Sequence, residues 1–247
     1  MSSGLIDIHS HVLPDIDDGS RDTGESLELL RGLHGAGFSH VFCTPHAGEH
    51  YYNIGFDVAS LMTRDLQRHV DEVGLEVTLH AGGEHNLQSD QSGKTLSDWS
   101  LPAGRFFLFD FWSPEPPDFV EPAVLHLRRH GITPILAHPE RYTWVQRDPA
   151  GAADWIRSLN IELQLNFWIL APGAEDAWGS RYGEAHASAA DVAKRWLDED
   201  RYAYAASDTH RLESLDHRLR GLEVLRSLID DDHFDRLLRV NPSKLIG

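Results

Sequence analysis

This sequence is poor in cysteine and in long apolar runs. Cys43 is the only cysteine among 247 residues, so the chain cannot form an internal disulfide, which fits a reducing compartment such as the cytoplasm. No basic segment followed by an apolar core opens the chain, and we expect no signal peptide. No run approaches the roughly 20 apolar residues that span a bilayer, so we expect no membrane insertion.

Basic residues are also scarce. The chain has 22 of them against 39 acidic residues, which gives a formal net charge of −17. This balance argues against nucleic acid or an anionic membrane as the main partner. An anionic substrate would then need a local positive site, and bound metal ions would supply one.

Two further absences narrow the classes of enzyme. Neither a glycine-rich Walker pattern nor a dinucleotide fingerprint occurs in the sequence. Cysteine-dependent phosphatases need an arginine six residues after the cysteine, and this chain has Glu49 at that place. We therefore expect Cys43 to be a small core residue rather than a nucleophile.

The sequence does contain a regular alternation of short apolar runs with longer amphipathic ones. The strand-like runs cover residues 5–10, 40–45, 76–81, 106–111, 133–137, 162–167 and 202–207. The helix-like runs cover residues 23–33, 57–73, 121–130, 149–159, 184–198 and 215–229. This alternation indicates an α/β fold with parallel strands and helical crossovers. Seven units suit a TIM-like barrel with one unit fewer than usual, with an open doubly wound sheet as the alternative. No linker interrupts the pattern, so we predict a single domain over residues 1–247.

Histidine and carboxylate side chains follow six of the seven predicted strands. His9 and His11 share one strand face, about 6.6 Å apart at the backbone, so both imidazoles can converge on one cation. In a barrel of this type the carboxyl ends of the strands meet at one face, which would gather groups that are distant in sequence. The candidate metal ligands are His9, His11, Asp18, His46, Glu84, Asp110, His138, Asp208 and His210.

Nine ligands are too many for a single ion, which takes about four to six. Two or three divalent ions bridged by carboxylates fit better, and Mn²⁺, Fe or Zn²⁺ suits these nitrogen and oxygen donors. Such a site favours displacement at phosphorus or hydrolysis of a carbonyl. Binuclear amidohydrolases often bridge their metals with a carboxylated lysine at a strand end. The only lysines here, Lys94, Lys194 and Lys244, do not end a predicted strand, which favours phosphate chemistry.

Eight short motifs occur in order over almost the whole chain. They are Ile6-Asp-Ile-His-Ser-His11, Asp17-Asp-Gly19, Thr44-Pro-His46, Gly83-Glu84, Ala137-His-Pro-Glu-Arg-Tyr142, Gln164-Leu-Asn166, Ala206-Ser-Asp-Thr-His210 and Asn241-Pro242. Together they resemble the PHP (polymerase and histidinol phosphatase) superfamily. More closely, they resemble the bacterial metal-dependent tyrosine-protein phosphatases of capsular and exopolysaccharide synthesis.

The resemblance implies a distorted (β/α)7 barrel of the PHP type with a trinuclear centre, for which Mn²⁺ is the expected metal. It implies three ligand sets: His9, His11, Glu84 and Asp208; Glu84, Asp110 and His138; and Asp18, His46 and His210. It assigns catalytic roles to Arg141, which would contact phosphate, to Asp208, and to His46. Either His46 or a metal-bound water would protonate the leaving aryloxide. The implied substrate is a phosphotyrosine protein or a small aryl phosphate, and a bacterial tyrosine kinase is an expected partner.

The chain departs from the family pattern at three places. Asp110 stands where the family usually has glutamate. Phe167 and Trp168 follow Asn166, and because successive strand residues point to opposite faces we expect one of them, with Trp112, to form an aromatic wall at the mouth that favours flat aryl leaving groups. The alternative is that these aromatic residues pack under a helix and never meet the substrate. An Arg-Pro-Pro that commonly follows the last histidine is missing, and Arg211 or Arg218 is the candidate replacement.

Two other functions remain open from the sequence. One is histidinol phosphatase or another small-molecule phosphatase. The other is a non-catalytic module that uses its metal for stability or for binding a partner. A decayed module should have lost several ligands, whereas nine candidates are present, so we expect an enzyme.

Overall fold

The computed structural model describes residues 4–47, 54–87, 100–111, 113, 115–173 and 183–246. Over these residues the chain has a mixed α/β fold. The strands are β1 (Leu5–Ser10), β2 (Phe38–Cys43), β3 (His46–Ala47), β4 (Thr78–Ala81), β5 (Glu84–Asn86), β6 (Phe106–Asp110), β7 (Thr133–Ala137), β8 (Glu162–Asn166) and β9 (Tyr204–Ala206). The α-helices are α1 (Thr23–Gly35), α2 (Phe56–Glu72), α3 (Val120–Arg129), α4 (Thr143–Arg147), α5 (Pro149–Ser158), α6 (Gly183–Asp198), α7 (Leu212–Leu228), α8 (Asp231–Asp235) and α9 (Asn241–Ser243). Two 3-10 helices cover Pro139–Arg141 and Phe167–Leu170, and a π-helical turn covers Arg236–Val240.

All paired strands run parallel, as the alternation predicts. One sheet has the order β1-β2-β4, and the other has the order β3-β5-β6-β7-β8-β9. Thr44 and Pro45 alone separate β2 from β3, and two glycines separate β4 from β5. Across these breaks the Gly82 amide donates to the Cys43 carbonyl at 2.9 Å and the Glu84 amide to the Pro45 carbonyl at 3.1 Å. Residues 38–47 and residues 78–86 therefore each contribute one strand to the first sheet and one to the second, and the two segments stay hydrogen-bonded across the breaks.

The outer strands of the two sheets also meet. The Asp208 amide, just after β9, donates to the His9 carbonyl of β1 at 2.9 Å. The His11 amide donates back to the Thr209 carbonyl at 2.8 Å. These bonds bring the carboxyl ends of β1 and β9 together. The candidate ligands His9 and His11 lie at the end of β1, and Asp208 and His210 follow β9.

Two apolar layers cover the faces of the strands. The smaller one joins strand residues from the two sheets: Ile6, Ile8, Phe42, Leu108, Ile135, Ala137, Tyr204 and Ala206, with Leu101 and Leu245 packed against them. The larger layer lies between the strands and the helices, and β6 contributes Phe107 and Phe109 to it. Burial on both faces explains why these strands are nearly continuous apolar runs.

Two of the helices begin with an aspartate that caps the helix N-terminus. Asp22 accepts a hydrogen bond from the Glu25 amide at the start of α1, and Asp148 accepts one from Gly151 at the start of α5. The predicted helices match the observed ones to within three residues at each end. The predicted strand 40–45 lies two residues too late, because it contains Pro45, which has no amide to donate, and the predicted strand 202–207 is observed only over Tyr204–Ala206.

Cys43 is fully buried in the larger apolar layer, as expected for a core residue. Among the described residues, none of the helices is both long and apolar enough to cross a lipid bilayer.

Candidate metal centre

The carboxyl ends of the parallel strands gather the predicted ligands. His9 lies in β1 and His11 follows it, His46 begins β3, Glu84 begins β5 and Asp110 ends β6. The remaining ligands follow β1, β7 or β9: Asp18, His138, Asp208 and His210. All are buried except His46, which is half-buried, and Asp18, which is exposed.

Three groups of these side chains could each hold a metal ion. Within each group one ligand atom per residue lies within 4.8 Å of the others. The groups are His9, His11 and Glu84; Glu84, Asp110 and His138; and His11, Asp18, His46 and His210. Glu84 is shared by two groups and so is His11, so the groups form one continuous cluster. The individual ligand roles stay predictions.

Glu84 lies at the centre of this cluster. Its Oε1 is 2.8 Å from His138 Nε2, and its Oε2 is 2.9 Å from His46 Nδ1 and 3.4 Å from His9 Nε2. Its side chain is only 1% exposed, and Oε2 has no hydrogen bond of good geometry. A buried carboxylate oxygen in this situation is costly unless a cation compensates it.

The spacing of the ligand atoms suits a shared ion. His9 Nε2 is 3.2 Å from His11 Nε2, and each of these atoms is 3.5 Å from Asp208 Oδ1. Two atoms that each lie about 2.1 Å from one ion are roughly 3.0–3.4 Å apart at octahedral or tetrahedral angles. Asp208 therefore fits the first group, as predicted for it. The residues present fit divalent metal ions.

The more exposed group has similar spacing. Asp18 Oδ1 lies 3.4 Å from His46 Nε2 and 3.5 Å from His210 Nε2. Its His46 also contacts Glu84, so this group joins the buried part of the cluster to the surface. This edge of the cluster is open to solvent at Asp18, whose side chain is 51% exposed.

Hydrogen bonds behind the histidines set their orientation. His9 Nδ1 is 2.9 Å from Gln164 Oε1, and His11 Nδ1 is 2.7 Å from Asp17 Oδ2. His210 Nδ1 is 2.8 Å from the Asp208 carbonyl. Each of these contacts directs the ring's Nε2 towards the cluster, which is the usual role of the groups behind a metal ligand.

Sequence reasoning did not assign roles to Gln164 and Asp17. Gln164 could have been found, because it lies two residues before Asn166 and so on the same face of β8. Asp17 could not be told from Asp18, because two adjacent carboxylates in a loop carry no periodic signal. In the structure Asp17 is the residue behind His11, while Asp18 faces the other histidines.

Asp208 adopts a strained backbone conformation at the junction of β9 and β1. Its φ is +49°, in the left-handed region that non-glycine residues rarely occupy. Its Oδ2 accepts a hydrogen bond of 2.6 Å from Asn166 Nδ2. His138, another candidate ligand, has φ +36°. Such strain often occurs at functional sites, where the surrounding structure holds it in place.

Arg141 projects from the 3-10 helix that follows β7. Its Nη1 lies 3.4 Å from Asp208 Oδ2, and its side chain is 31% exposed. The preceding residue, Glu140, is buried and accepts hydrogen bonds from the Asn166 amide at 3.0 Å and the Tyr202 hydroxyl at 3.2 Å. These bonds fasten the 3-10 helix to β8, so Arg141 is presented from a fixed base at the edge of the cluster.

Glu84 and Asp208, two buried carboxylates of the cluster, are ionised. Burial opposes this, but the facing imidazoles of His9 and His46 hold the pKa of Glu84 well below its usual range. Burial likewise opposes the charge of Asp208, while His210 and His9 lower its pKa. Both residues therefore present negative oxygens to a cation at neutral pH.

The surroundings of the imidazoles raise the pKa of His11 and lower that of His138. Burial alone would lower the pKa of His11, but the Asp17 carboxylate raises it to about 9. Burial and the Arg141 charge lower the pKa of His138 to about 4. Because a metal ion needs the neutral imidazole, loading the centre must release protons from histidines such as His11.

The predicted aromatic wall is wrong for Phe167 and Trp168. They are 0% and 1% exposed, because the chain turns into the 3-10 helix Phe167–Leu170 directly after β8 and packs under α7. Trp112 lies outside the described residues. Of the two candidate replacements for the missing Arg-Pro-Pro, Arg211 lies 3.9 Å from Glu25 and Arg218 is buried.

Comparison with known proteins then decides the family. The model of the family described as "Capsular polysaccharide synthesis, CpsB/CapC" matches residues 5–247. The chain belongs to the CpsB/CapC family. The resemblance inferred from the eight motifs is thereby confirmed.

Curated relatives of this chain are named tyrosine-protein phosphatases. CpsB of Streptococcus pneumoniae is 24% identical over 246 residues, which cover 98% of each chain. CpsB of Streptococcus agalactiae is 25% identical over 213 residues, covering 85% of this chain and 84% of the relative.

Solved structures show the same fold. One comes from work on YwqE of Bacillus subtilis and CpsB of S. pneumoniae, described as metal-dependent tyrosine phosphatases. It matches with a TM-score of 0.81 at 21% identity, over 98% of this chain and 94% of that one. The phosphotriesterase homology protein of Escherichia coli, with phosphate in its active site, matches with a TM-score of 0.59 at 10% identity over the whole of both chains.

Proposed function

We propose that this chain is a metal-dependent phosphoric monoester hydrolase that acts on phosphotyrosine and regulates capsular or exopolysaccharide synthesis. The observation that carries the proposal is the continuous cluster of three ligand groups that share Glu84 and His11, with Arg141 at its edge. The tyrosine phosphatases named among its relatives, including one that matches almost the full length, support the choice of substrate.

We propose three ions in this centre, one for each ligand group, with Mn²⁺ as the expected metal and Fe or Zn²⁺ as alternatives. Bound there, divalent ions would neutralise the charge of the phosphate and lower the pKa of a coordinated water. His9, His11, Glu84 and Asp208 would hold the first ion. Glu84, Asp110 and His138 would hold the second, and Asp18, His46 and His210 the third.

Arg141 binds the phosphate in this proposal. Its guanidinium is planar and can donate two parallel hydrogen bonds to phosphate oxygens. Its side chain is 31% exposed at the edge of the cluster, and its contact with Asp208 fixes the direction from which the guanidinium points. The charge that develops on the equatorial oxygens during transfer is then stabilised by a positioned donor.

His46 serves as a ligand rather than as the general acid in this account. Both of its ring nitrogens face carboxylates, Nδ1 at 2.9 Å from Glu84 and Nε2 at 3.4 Å from Asp18. A ring held on both sides has no nitrogen directed at a leaving group. The proton for the aryloxide therefore comes from water at the centre.

We further propose that residues 1–247 form one domain and that the strands complete a distorted (β/α)7 barrel. The hydrogen bonds between the ends of β1 and β9 support closure, and so do TIM-like relatives in fold. The tyrosine-kinase partner and the cytoplasmic location stay predictions.

A panel of phosphate esters tests the function. Purified protein supplied with Mn²⁺ should release phosphate from a phosphotyrosine peptide faster than from histidinol phosphate or sugar phosphates. Preferred turnover of histidinol phosphate would replace this proposal with the small-molecule phosphatase. A fully metal-loaded protein that hydrolyses none of the esters would favour the non-catalytic binding module.

A further inference from the structure

A second arginine is buried next to Asp208. Arg218 is in α7, ten residues after Asp208, and its side chain is only 3% exposed. A charged side chain is rarely buried to this degree unless its partners require it. The guanidinium Nη1 donates to the Ser207 carbonyl at 2.8 Å, and Nε donates to Ser214 Oγ at 3.2 Å. Nη1 also lies 3.8 Å from Asp208 Oδ2.

The guanidinium of Arg218 stacks over the ring of Trp168. The Arg218 carbon Cζ lies 5.5 Å from the centre of the Trp168 ring, in the range of a cation–π contact. Trp168 is fixed by close packing of its 3-10 helix against α7. At Gly221 an added Cβ would come within 2.4 Å of the Phe167 carbonyl and 2.6 Å of Trp168 Cα. The helix and the indole therefore form a rigid seat for Arg218.

The group that Arg218 holds is the peptide unit before the strained residue. Asp208, at φ +49°, follows directly after the Ser207 carbonyl that accepts the Arg218 hydrogen bond. The other polar group of this unit, the Asp208 amide, donates a hydrogen bond of 2.9 Å to the His9 carbonyl. The unit is thus held on both sides, which keeps the Asp208 carboxylate turned towards His9 and His11.

We infer that Arg218 is a positioning residue that holds Asp208 in its strained conformation, so that Asp208 Oδ1 faces the histidines of the first ion. This inference rests on the proposed function. It also gives Trp168, which the family pattern does not lead one to expect after Asn166, a role in support of Arg218. Arg218 acts through Asp208 and does not touch the phosphate.

The expected effect is on metal binding. Groups behind metal ligands typically contribute about 10- to 100-fold to metal affinity. Arg218→Met keeps an unbranched apolar stem but removes the charge and both hydrogen bonds, so we expect Mn²⁺ to bind about 10- to 100-fold more weakly. Arg218→Lys keeps the charge without the planar fork and should give an intermediate affinity.

The matched control is Arg226→Met in the same helix. Arg226 is exposed, and its Cζ lies 4.8 Å from the centre of the Phe234 ring, so the control removes a cation–π contact of the same kind away from the centre. Mn²⁺ dissociation constants are measured from the EPR signal of free Mn²⁺, well below the thermal midpoint of each variant. Arg226→Met should bind Mn²⁺ like the wild type.

A double variant separates positioning from general stability. If Arg218 acts through Asp208, then Arg218→Met should change Mn²⁺ affinity by less than about twofold when Asp208→Asn is already present. The inference is overturned if the affinity loss persists in that background, if Arg218→Lys binds like the wild type, or if Arg218→Met lowers only the thermal midpoint. Wild-type protein that binds no Mn²⁺, Fe or Zn²⁺ would instead refute the proposed function. Should Arg218→Met not fold, Arg218→Lys and its double variant carry the same test.

Discussion

Asp17 Oδ2 lies 2.7 Å from His11 Nδ1, within the loop that joins β1 to α1. The same oxygen accepts a hydrogen bond of 3.0 Å from the His46 amide. One carboxylate therefore orients His11 and fixes the start of β3, where His46 stands. The cluster depends on this loop as much as on the strands.

Replacing Asp17 should weaken metal binding without removing a ligand. Asp17→Asn keeps an oxygen near His11 but loses the negative charge that makes the ring a better donor, so we expect a roughly 10-fold lower metal affinity. Asp15→Asn is the control, because Asp15 is exposed in the same loop and asparagine tolerates its φ of +53°. Isothermal titration with Mn²⁺ measures both. Equal affinities for the two variants would show that Asp17 has no such role.

Arg141→Lys should lose activity almost as severely as Arg141→Ala. Lysine retains the positive charge but cannot donate two parallel hydrogen bonds to phosphate, and loss of a positioned donor typically lowers kcat by about 10²–10³-fold. The control is Arg147→Lys, an exposed arginine in α4 that pairs with Glu115. Steady-state kinetics on a phosphotyrosine peptide measure the effect. If lysine restores most of the rate, Arg141 contributes only general charge.

Cys43 should be inert in the folded protein. Burial raises the pKa of its thiol to about 12, so the thiolate that alkylating agents attack is not formed near pH 8. We expect iodoacetamide to leave activity unchanged and to label the chain only after unfolding, as measured by mass spectrometry. Rapid labelling with loss of turnover would point to a thiol mechanism.

The same shift predicts a loss of stability at high pH. The thiol of the unfolded chain ionises near its ordinary pKa of about 9, while the folded thiol stays neutral up to about pH 12. Its contribution to the free energy of unfolding is therefore complete below about pH 9 and is lost as the pH rises towards 12. The difference in unfolding free energy between wild type and Cys43→Ala, measured with urea, should stay constant below about pH 9 and fall above it.

The pair His40 and His80 should contribute to instability in acid. His40 Nδ1 lies 3.0 Å from His80 Nε2, and burial together with the neighbouring His40 lowers the pKa of His80 to about 4. The unfolded chain takes up a proton near pH 6.5, which the folded chain resists. The contribution is therefore present above about pH 6.5 and is lost as the pH falls towards 4.

Urea unfolding between about pH 7 and 5 measures this effect. The difference in unfolding free energy between wild type and His80→Gln should shrink as the pH falls. Cys43→Ala, which removes a thiol that stays neutral in both states over this range, should give a difference that does not change with pH. Parallel behaviour of the two variants would contradict the account of the pair.

Much of the fold can be predicted from the sequence, because strands that are buried on both faces are nearly continuous apolar runs and can be recognised as such. β1 and β7 have the predicted bounds, and six long helices begin within three residues of the predicted starts. The short strands β3 and β5 were missed, since two and three residues carry no usable period. They matter for function, because His46 and Glu84 begin them.

The site was predictable to the extent that parallel strands bring their carboxyl ends together. This rule predicts that residues as far apart in sequence as His9 and His210 lie close together at one end of the strands. Of the groups behind the ligands, Gln164 was predictable from its face of β8, whereas Asp17 was not. One of Phe167 and Trp168 was expected at the mouth, yet both lie under α7, because nothing in a single sequence shows that the chain turns into a 3-10 helix after Asn166.

The most direct test of the central claim is to measure metal content and phosphotyrosine hydrolysis together as the metal is removed and returned. The account predicts that a chelator abolishes turnover, that Mn²⁺ restores it, and that His9→Ala and Asp208→Ala each lower both bound metal and kcat. A chain stripped of metal that retains full turnover would contradict the account, as would either variant with full metal and full activity.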